Sequence, residues 1–208
     1  MYLHQTPRLL QKLLPTLTWR NPSDRSVYLT FDDGPIPEVT PRVLEILSHY
    51  QAKATFFCVG DNINKYPLVF KEVIDHGHRI GNHTQHHING WQTTSTAYQR
   101  EVQQCQQTID THYSTTEKPL FRPPYGRLKP AQWRQLKRNY DIVMWDVLSA
   151  DYKEDLSPKV CLRKTIQYTR PGSIVVFHDS LKSWKRLGFV LPRFLHYFSS
   201  KGYTFDTL

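Results

Sequence analysis

Short apolar runs alternate with amphipathic stretches along nearly the whole chain, and Gly, Pro and Asn punctuate the junctions. Residues 26–31 predict a strand, broken by Gly34 and Pro35. Thr40 and Pro41 then open a helix that runs to about Tyr50, with Thr40 as N-cap and Pro41 in the first helical position. Residues 54–59 predict a buried strand, 67–76 a helix ending at Gly77, and 78–81 a short strand that leads into NHTQHH. The longest predicted helix is 95–112. After it come a strand at 120–123, a helix at 130–138, a strand at 140–147 and a helix at 157–168. A turn at Pro171 and Gly172 precedes the clearest buried strand, 173–178, and the chain closes with a helix at 191–200 and a strand at 203–205. Seven strands alternating with helices predict parallel βα units in one α/β domain, wound as an open sheet or closed as a small barrel. In either form the residues just after the strand ends share one rim, where such folds place their sites.

The N-terminus has its own pattern. Leu9, Leu10, Leu13, Leu14 and Leu17 fall on one helical face flanked by Arg8 and Lys12. Lys12 and Pro15 interrupt the continuous apolar region of a secretory signal, so the stretch is expected to be a helix or turn packed on the domain, with interfacial membrane contact as the lesser alternative. The expected division is a 1–25 N-terminal segment and a 26–208 catalytic domain.

Composition adds limits. A chain of 208 residues with 39% hydrophobic and 13% aromatic content can bury a sizeable core. Twenty-seven Lys and Arg against 18 Asp and Glu give +9, but the bases are dispersed, which argues against a nucleic-acid partner. Cys58, Cys105 and Cys161 are far apart and form no CxxC arrangement, so any metal must be held by His and carboxylate. No apolar run approaches the ~20 residues of a membrane-spanning helix, and with no export signal readable the expected location is cytoplasmic.

Every unusual stretch falls on the predicted rim. Asp32 and Asp33 set two carboxylates side by side after a strand, and such a pair calls for a cation or for compensating hydrogen bonds. A helix-capping turn is the plain alternative. His83 and His87 have the i, i+4 spacing that lets one divalent ion bind both, and His86 is a rival at i, i+3. Two His and one carboxylate are the donor set of an open catalytic site. In RPPYG, Arg122 precedes two prolines that hold the chain extended, and the first free N–H after them belongs to Tyr125, which suits an oxyanion donor. His178 ends an apolar strand, and Asp151 is a candidate partner that would keep it protonated as a general acid.

Together TFDDGP, HTQHH, RPPYG, the SADY after WDVL, and VFH resemble the motifs of the polysaccharide deacetylases, carbohydrate esterase family 4, over roughly residue 27 to the C-terminus. The resemblance implies a distorted (β/α) barrel of about seven parallel strands. It implies a catalytic set of Asp32 as base, Arg122 orienting it, Tyr125 at the oxyanion, and His178 as acid beside Asp151. It selects His87 over His86 and gives Asp33, His83 and His87 as ligands of one divalent ion, zinc in first place, with cobalt, nickel or iron also compatible. Substrate contacts fall to Tyr125, Tyr152 and Val176. Tyr152 stands where the family usually has Trp, and Val176 where it usually has Leu. The implied reaction is hydrolysis of an N-acetyl group on a peptidoglycan- or chitin-like amino sugar. The alternatives are an O-acetyl xylan-type esterase and a glycan-binding barrel without turnover.

Overall fold

The computed structural model describes residues 3–23 and 25–208; Met1, Tyr2 and Asp24, part of the expected 1–25 segment, lie outside the described residues. Successive βα units build the barrel. After α1 (Arg8–Leu13) come β1 (Ser26–Asp32), α2 (Thr40–His49), β2 (Ala54–Cys58), α3 (Gly60–Lys65), α4 (Pro67–Asp75), β3 (Arg79–Asn82), α5 (Ser95–Asp110) and β4 (Leu120–Phe121). Then follow α6 (Pro130–Leu136), β5 (Asp141–Ile142), β6 (Val147–Leu148), α7 (Pro158–Tyr168), β7 (Ile174–His178), α8 (Leu181–Ser199) and β8 (Thr204–Phe205).

The strands pair in the order β5-β4-β3-β2-β1-β7-β6, all in parallel, and β8 joins the start of β1. The two ends of that order, β5 and β6, are consecutive pieces of one chain segment. The sheet therefore curls round on itself as a single distorted barrel, which resolves the open-sheet alternative in favour of closure. Counting β5 and β6 as one interrupted strand gives the seven expected.

Alternation along the strands sorts the side chains. Val27, Leu29 and Phe31 of β1, Ala54 and Phe56 of β2, and Val175 and Phe177 of β7 face outward and pack with Val43, Leu47, Phe70, Leu187 and Phe194 of the helices. Tyr28, Phe57, Leu120, Val143 and Ile174 form a second cluster inside the barrel. By the same period Thr30 and Asp32 of β1, and Val176 and His178 of β7, also face inward, above Tyr28 and Ile174 on their own strands. On β1 and β7 the strand pattern thus places Tyr28 and Ile174 toward the base and Asp32 and His178 at the rim.

Four features depart from the sequence expectation. The predicted 140–147 strand is interrupted because the backbone between β5 and β6 bonds elsewhere: the Val143 and Met144 carbonyls accept from Arg122, and the Met144 N–H donates to Thr18 at 2.7 Å. Helix α3 was not expected, since GDNINK opens with Gly and offers one apolar residue. Helix α8 begins at Leu181 rather than 191 and carries Pro192 inside it; its first turns look polar, but Arg186 is buried there and donates to the Lys182 and Asp151 carbonyls. Thr40, expected as the α2 N-cap, is already helical, with Val39 at the cap. Its hydroxyl turns to Asp179 instead.

Residues 3–23 lie along the interrupted strand. Gln5 bridges Val147, Thr18 bridges Val143 and Arg20 bridges Ser173. Helix α1 itself buries no residue, so the segment is anchored by Gln11 and by what flanks the helix and not by its leucines. Among the described residues no helix is long and apolar enough to cross a membrane, and Cys58, Cys105 and Cys161 are free and buried.

Candidate active site and metal centre

Asp32 is the last residue of β1 and is 4% exposed. Its Oδ1 accepts from Arg122 Nη1 at 2.7 Å, and the same nitrogen donates to Thr30 Oγ1 at 2.7 Å. Arg122 is wholly buried, stacked on Phe57 at 4.1 Å, with Nε and Nη2 donating to the Val143 and Met144 carbonyls. A guanidinium so fully engaged cannot swing, and it fixes Asp32 with one carboxylate oxygen committed.

One residue on, the chain turns at Asp33 through φ 84°, a left-handed conformation unusual for a non-glycine residue. The turn is tied down twice. Asn62 of α3 donates to the Asp33 carbonyl at 2.7 Å, and Gly34 N–H donates to Asp179 Oδ1 at 3.0 Å. Asp179 Oδ2 accepts from Thr40 Oγ1 at 2.6 Å. Burial pushes the Asp179 carboxyl up to about 8, against the hydrogen bond from Thr40.

Asp33 Oδ1 then lies 3.2 Å from His87 Nε2 and 3.9 Å from His83 Nε2, and the three donor atoms all fall within 4.8 Å of one another. His83 donates from Nδ1 to the Arg122 carbonyl at 2.8 Å, which leaves Nε2 as the nitrogen with a lone pair. Burial pulls this imidazole down to about 4 despite the nearby Asp32. Burial would raise the Asp33 carboxyl, but the hydrogen bond from His87 and the charges of His178, His87 and His83 hold it well below the usual range. A neutral imidazole and an ionised carboxylate are the protonation states a divalent cation needs, so the donor set fits one. His86 is drawn off by Glu101, which bonds both its ring at 3.0 Å and its N–H at 2.9 Å. Beside the triad is a cleft of about 320 Å³ lined by Asp33, Val59, Asp61, Asn62, His86 and His87.

Across the rim His178 ends β7. Its Nδ1 bonds Asp151 Oδ1 at 2.7 Å and its backbone N–H bonds Asp151 Oδ2 at 2.9 Å. Burial opposes charge on this imidazole, yet Asp151, by charge and hydrogen bond, and then Asp33 and Asp32, raise it to about 9. A cation on Asp33 would cancel that residue's share and leave Asp151 as the chief support. Tyr152 meets the His178 ring edge-on at 4.9 Å, and Val176, buried, shares the inward face of β7. Tyr125, at φ 59° and 60% exposed, sets its ring 4.7 Å from that of His87. All ten residues expected at the site therefore lie at or just beneath one rim.

Asn62 and Trp91 carry no functional reading in the sequence, and Asp179 carries only its place beside His178, as the second half of an ionisable pair at the rim. Asp179 and Asn62 hold the Asp33 turn, and Trp91 is exposed beside Arg127, whose guanidinium lies 5.1 Å from its ring and 5.9 Å from that of Tyr125.

Comparison with known proteins gives the same grouping. The polysaccharide deacetylase family model matches residues 20–145. A peptidoglycan-N-acetylglucosamine deacetylase of Bacillus cereus is 31% identical over 96% of this chain and 95% of its own. A chitooligosaccharide deacetylase of Azorhizobium caulinodans is 32% identical over 74% of this chain and 73% of its own. A crystal structure of a peptidoglycan N-acetylglucosamine deacetylase, in complex with 4-naphthalen-1-yl-N-oxidanyl-benzamide, superposes with a TM-score of 0.86 at 30% identity, covering 93% of this chain and 91% of that one.

Proposed function

This chain belongs to the polysaccharide deacetylase family, and from that premise we propose that it is a metal-dependent hydrolase releasing acetate from N-acetyl groups of a peptidoglycan- or chitin-like amino sugar. The observation that carries the reading is the meeting of the Asp33, His83 and His87 donor atoms within 4.8 Å, with Asp32 the residue next to Asp33 and His178 paired to Asp151 on the same rim.

A divalent ion on Asp33, His83 and His87, zinc by donor chemistry, would supply Lewis-acid polarisation of the attacking water and of the amide carbonyl. Asp32 is the base: Arg122 commits its Oδ1, and Oδ2 takes the proton from water as it attacks. The N–H of Tyr125, first after two prolines, donates to the developing oxyanion. His178, kept protonated by Asp151, passes its proton to the departing amine so that acetate and a free amino sugar leave. Arg122 and Asp151 are positioning residues in this scheme, since each acts through a neighbour. Tyr125, Tyr152 and Val176 border the place where the sugar and its acetyl group would sit.

Acetate release from N-acetylated glycan oligomers tests the reading, with O-acetylated xylan as the competing substrate. The native protein should release acetate and lose that activity to a chelator, recovering it on addition of a divalent metal. Asp32→Asn should keep about one ion per chain and lose activity by about two orders of magnitude or more. His83→Ala should lose the ion itself. Activity that survives in both variants would overturn the assignment of the site.

A further inference from the structure

The charged and apolar surface that the active site leaves unexplained lies on the N-terminal segment. Nine large hydrophobic side chains are exposed among the described residues, and five of them, Leu3, Leu9, Leu10, Leu13 and Leu14, fall within the first fourteen residues. Leu9 and Leu13, 69% and 67% exposed, form the outermost ridge of α1. The opposite side of the same helix is held down: Gln11 donates to the Thr6 carbonyl and to Asp146 Oδ1, Trp19 Nε1 donates to the Leu14 carbonyl at 3.0 Å, and Thr18 N–H donates to the Ile142 carbonyl at 2.9 Å. The leucines are thus displayed by a fixed scaffold rather than left on a loose end, at a standing cost in exposed apolar area.

One flank of that ridge is cationic. Arg8, Lys12, Arg20 and Arg170 line a single hollow of about 460 Å³ together with Thr18 and Trp19. Among the described residues the carboxylate paired with its arginines is Asp146, wholly buried, at 3.6 Å from Arg20 Nε and 3.5 Å from Arg170 Nη2. Asp146 is already occupied, accepting from Ser173 at 2.7 Å and from Gln11 at 3.1 Å. Arg20 Nε and both Nε and Nη2 of Arg170 find no hydrogen-bond partner among the described residues. These nitrogens are buried, and Arg20 Nε and Arg170 Nη2 face Asp146, so what the hollow offers a ligand is the positive charge of Arg8, Lys12 and the partly exposed arginine side chains.

We propose that this face docks in the plane of an anionic lipid bilayer, with Leu9 and Leu13 entering the acyl boundary and Arg8, Lys12, Arg20 and Arg170 meeting lipid phosphates. The pairing of the two features selects the occupant. A soluble polyanion would have no use for the leucine ridge, and an apolar protein partner would have none for four cations. A second copy of the chain, docked face to face, would bring both cationic hollows together without a counter-charge. An amphipathic ridge with basic flanks on an anionic surface satisfies both halves at once. Arg20 bridges Ser173 at the start of β7, whereas His178 ends that strand, five steps or roughly 16 Å further on. Docking by this face leaves the active rim pointing away from the lipid, toward glycan.

Co-sedimentation with vesicles of phosphatidylcholine, with and without phosphatidylglycerol, tests this independently of catalysis. Native protein should bind the phosphatidylglycerol vesicles, bind phosphatidylcholine alone weakly, and be released by high salt. Leu9→Ser with Leu13→Ser, and separately Arg8→Glu with Lys12→Glu, should each cut partitioning by about tenfold or more. Acetate release from a soluble oligomer should be unchanged in both. No binding by the native protein would overturn the proposal. So would equal binding by the leucine variant, which would reduce the face to a polyanion site, or a native dimer that the leucine variant converts to monomer.

Discussion

At the scale of single residues, the pairing of His178 with Asp151 makes a prediction with a definite sign. A general acid works in its protonated form, and Asp151 holds His178 above the ordinary imidazole range even with a cation on Asp33, so activity should persist through neutrality and fall only on the alkaline side. Asp151→Asn removes the charge that chiefly sustains that proton. The alkaline limb of kcat/KM should then move down toward the ordinary imidazole range near ~6.5, while metal content stays as it was. A pH profile of the two proteins checks this, and coincident alkaline limbs would remove His178 from the role of acid. Asp179 makes the opposite kind of prediction. Burial raises this carboxyl, which lessens the loss on replacing it by a neutral group, and Asn has nearly the same shape and can accept from Gly34 while donating to Thr40. Asp179→Asn should retain metal and activity, and Asp179→Ala, which frees the Asp33 turn, should weaken metal affinity by about 10- to 100-fold. Titration of each variant with zinc measures the difference. The roles proposed for Asp32, Asp33, His83, His87 and His178 were legible because those residues sit in short runs whose composition is odd for a loop. The part played by Asp179 was not, because its partner Gly34 lies 145 positions away in the chain.

At the scale of elements, the rim loops share a backbone property that no side-chain pattern announces. Among the described residues six non-glycine residues have positive φ, and five of them, Asp33, Thr84, His87, Tyr125 and Ala150, are in the loops around the candidate site. Strain of this sort persists only where the surroundings over-determine the conformation, and here the ties are visible: Asn62 on Asp33, Thr84 Oγ1 accepting from Ile88 N–H, and Asn82 Oδ1 accepting from Thr84 N–H. The RPPYG loop can be tested through its glycine. Gly126 has φ 64°, and a Cβ there would come within 2.7 Å of the Trp145 ring. Gly126→Ala should therefore displace Tyr125 and lower kcat by about tenfold or more, with metal content retained, since the three ligands come from other loops. Acetate-release kinetics beside metal analysis separates that outcome from general unfolding. Helix α3 illustrates what sequence period leaves out. It is nearly all polar, and what holds it is tertiary: its first N–H groups donate to the Thr84 and Gln85 carbonyls, which locks the TFDDGP and HTQHH loops together.

At the scale of the whole molecule, the alternation of strands and helices in the sequence was enough to predict one α/β domain with its site on one rim, but it could not decide between an open sheet and a barrel. That decision rests on residues 141–148, which pair with β4 at one end and β7 at the other, and on the N-terminal strip laid across the interruption between them. The strip behaves as part of the barrel wall. Trp19 is 7% exposed, and Thr6 N–H and Gln11 both donate to Asp146, whose carboxylate is wholly buried. Removing residues 1–21 would uncover Val143 and Val147, take away a buried Trp, and leave Asp146 short of Arg20 and Gln11. A buried tryptophan contributes about 2–3 kcal/mol and an unsupported buried carboxylate costs about 3–5 kcal/mol, discounted here because Arg170 and Ser173 remain. At about 2–4 °C per kcal/mol for a chain of this size, the thermal midpoint should fall by about 10 °C or more. The rim lies at the far end of the strands from Arg20, so the truncated protein should still bind its ion and release acetate at low temperature. A melting curve unchanged by the truncation would mean that the strip is an appendage and that the barrel closes without it.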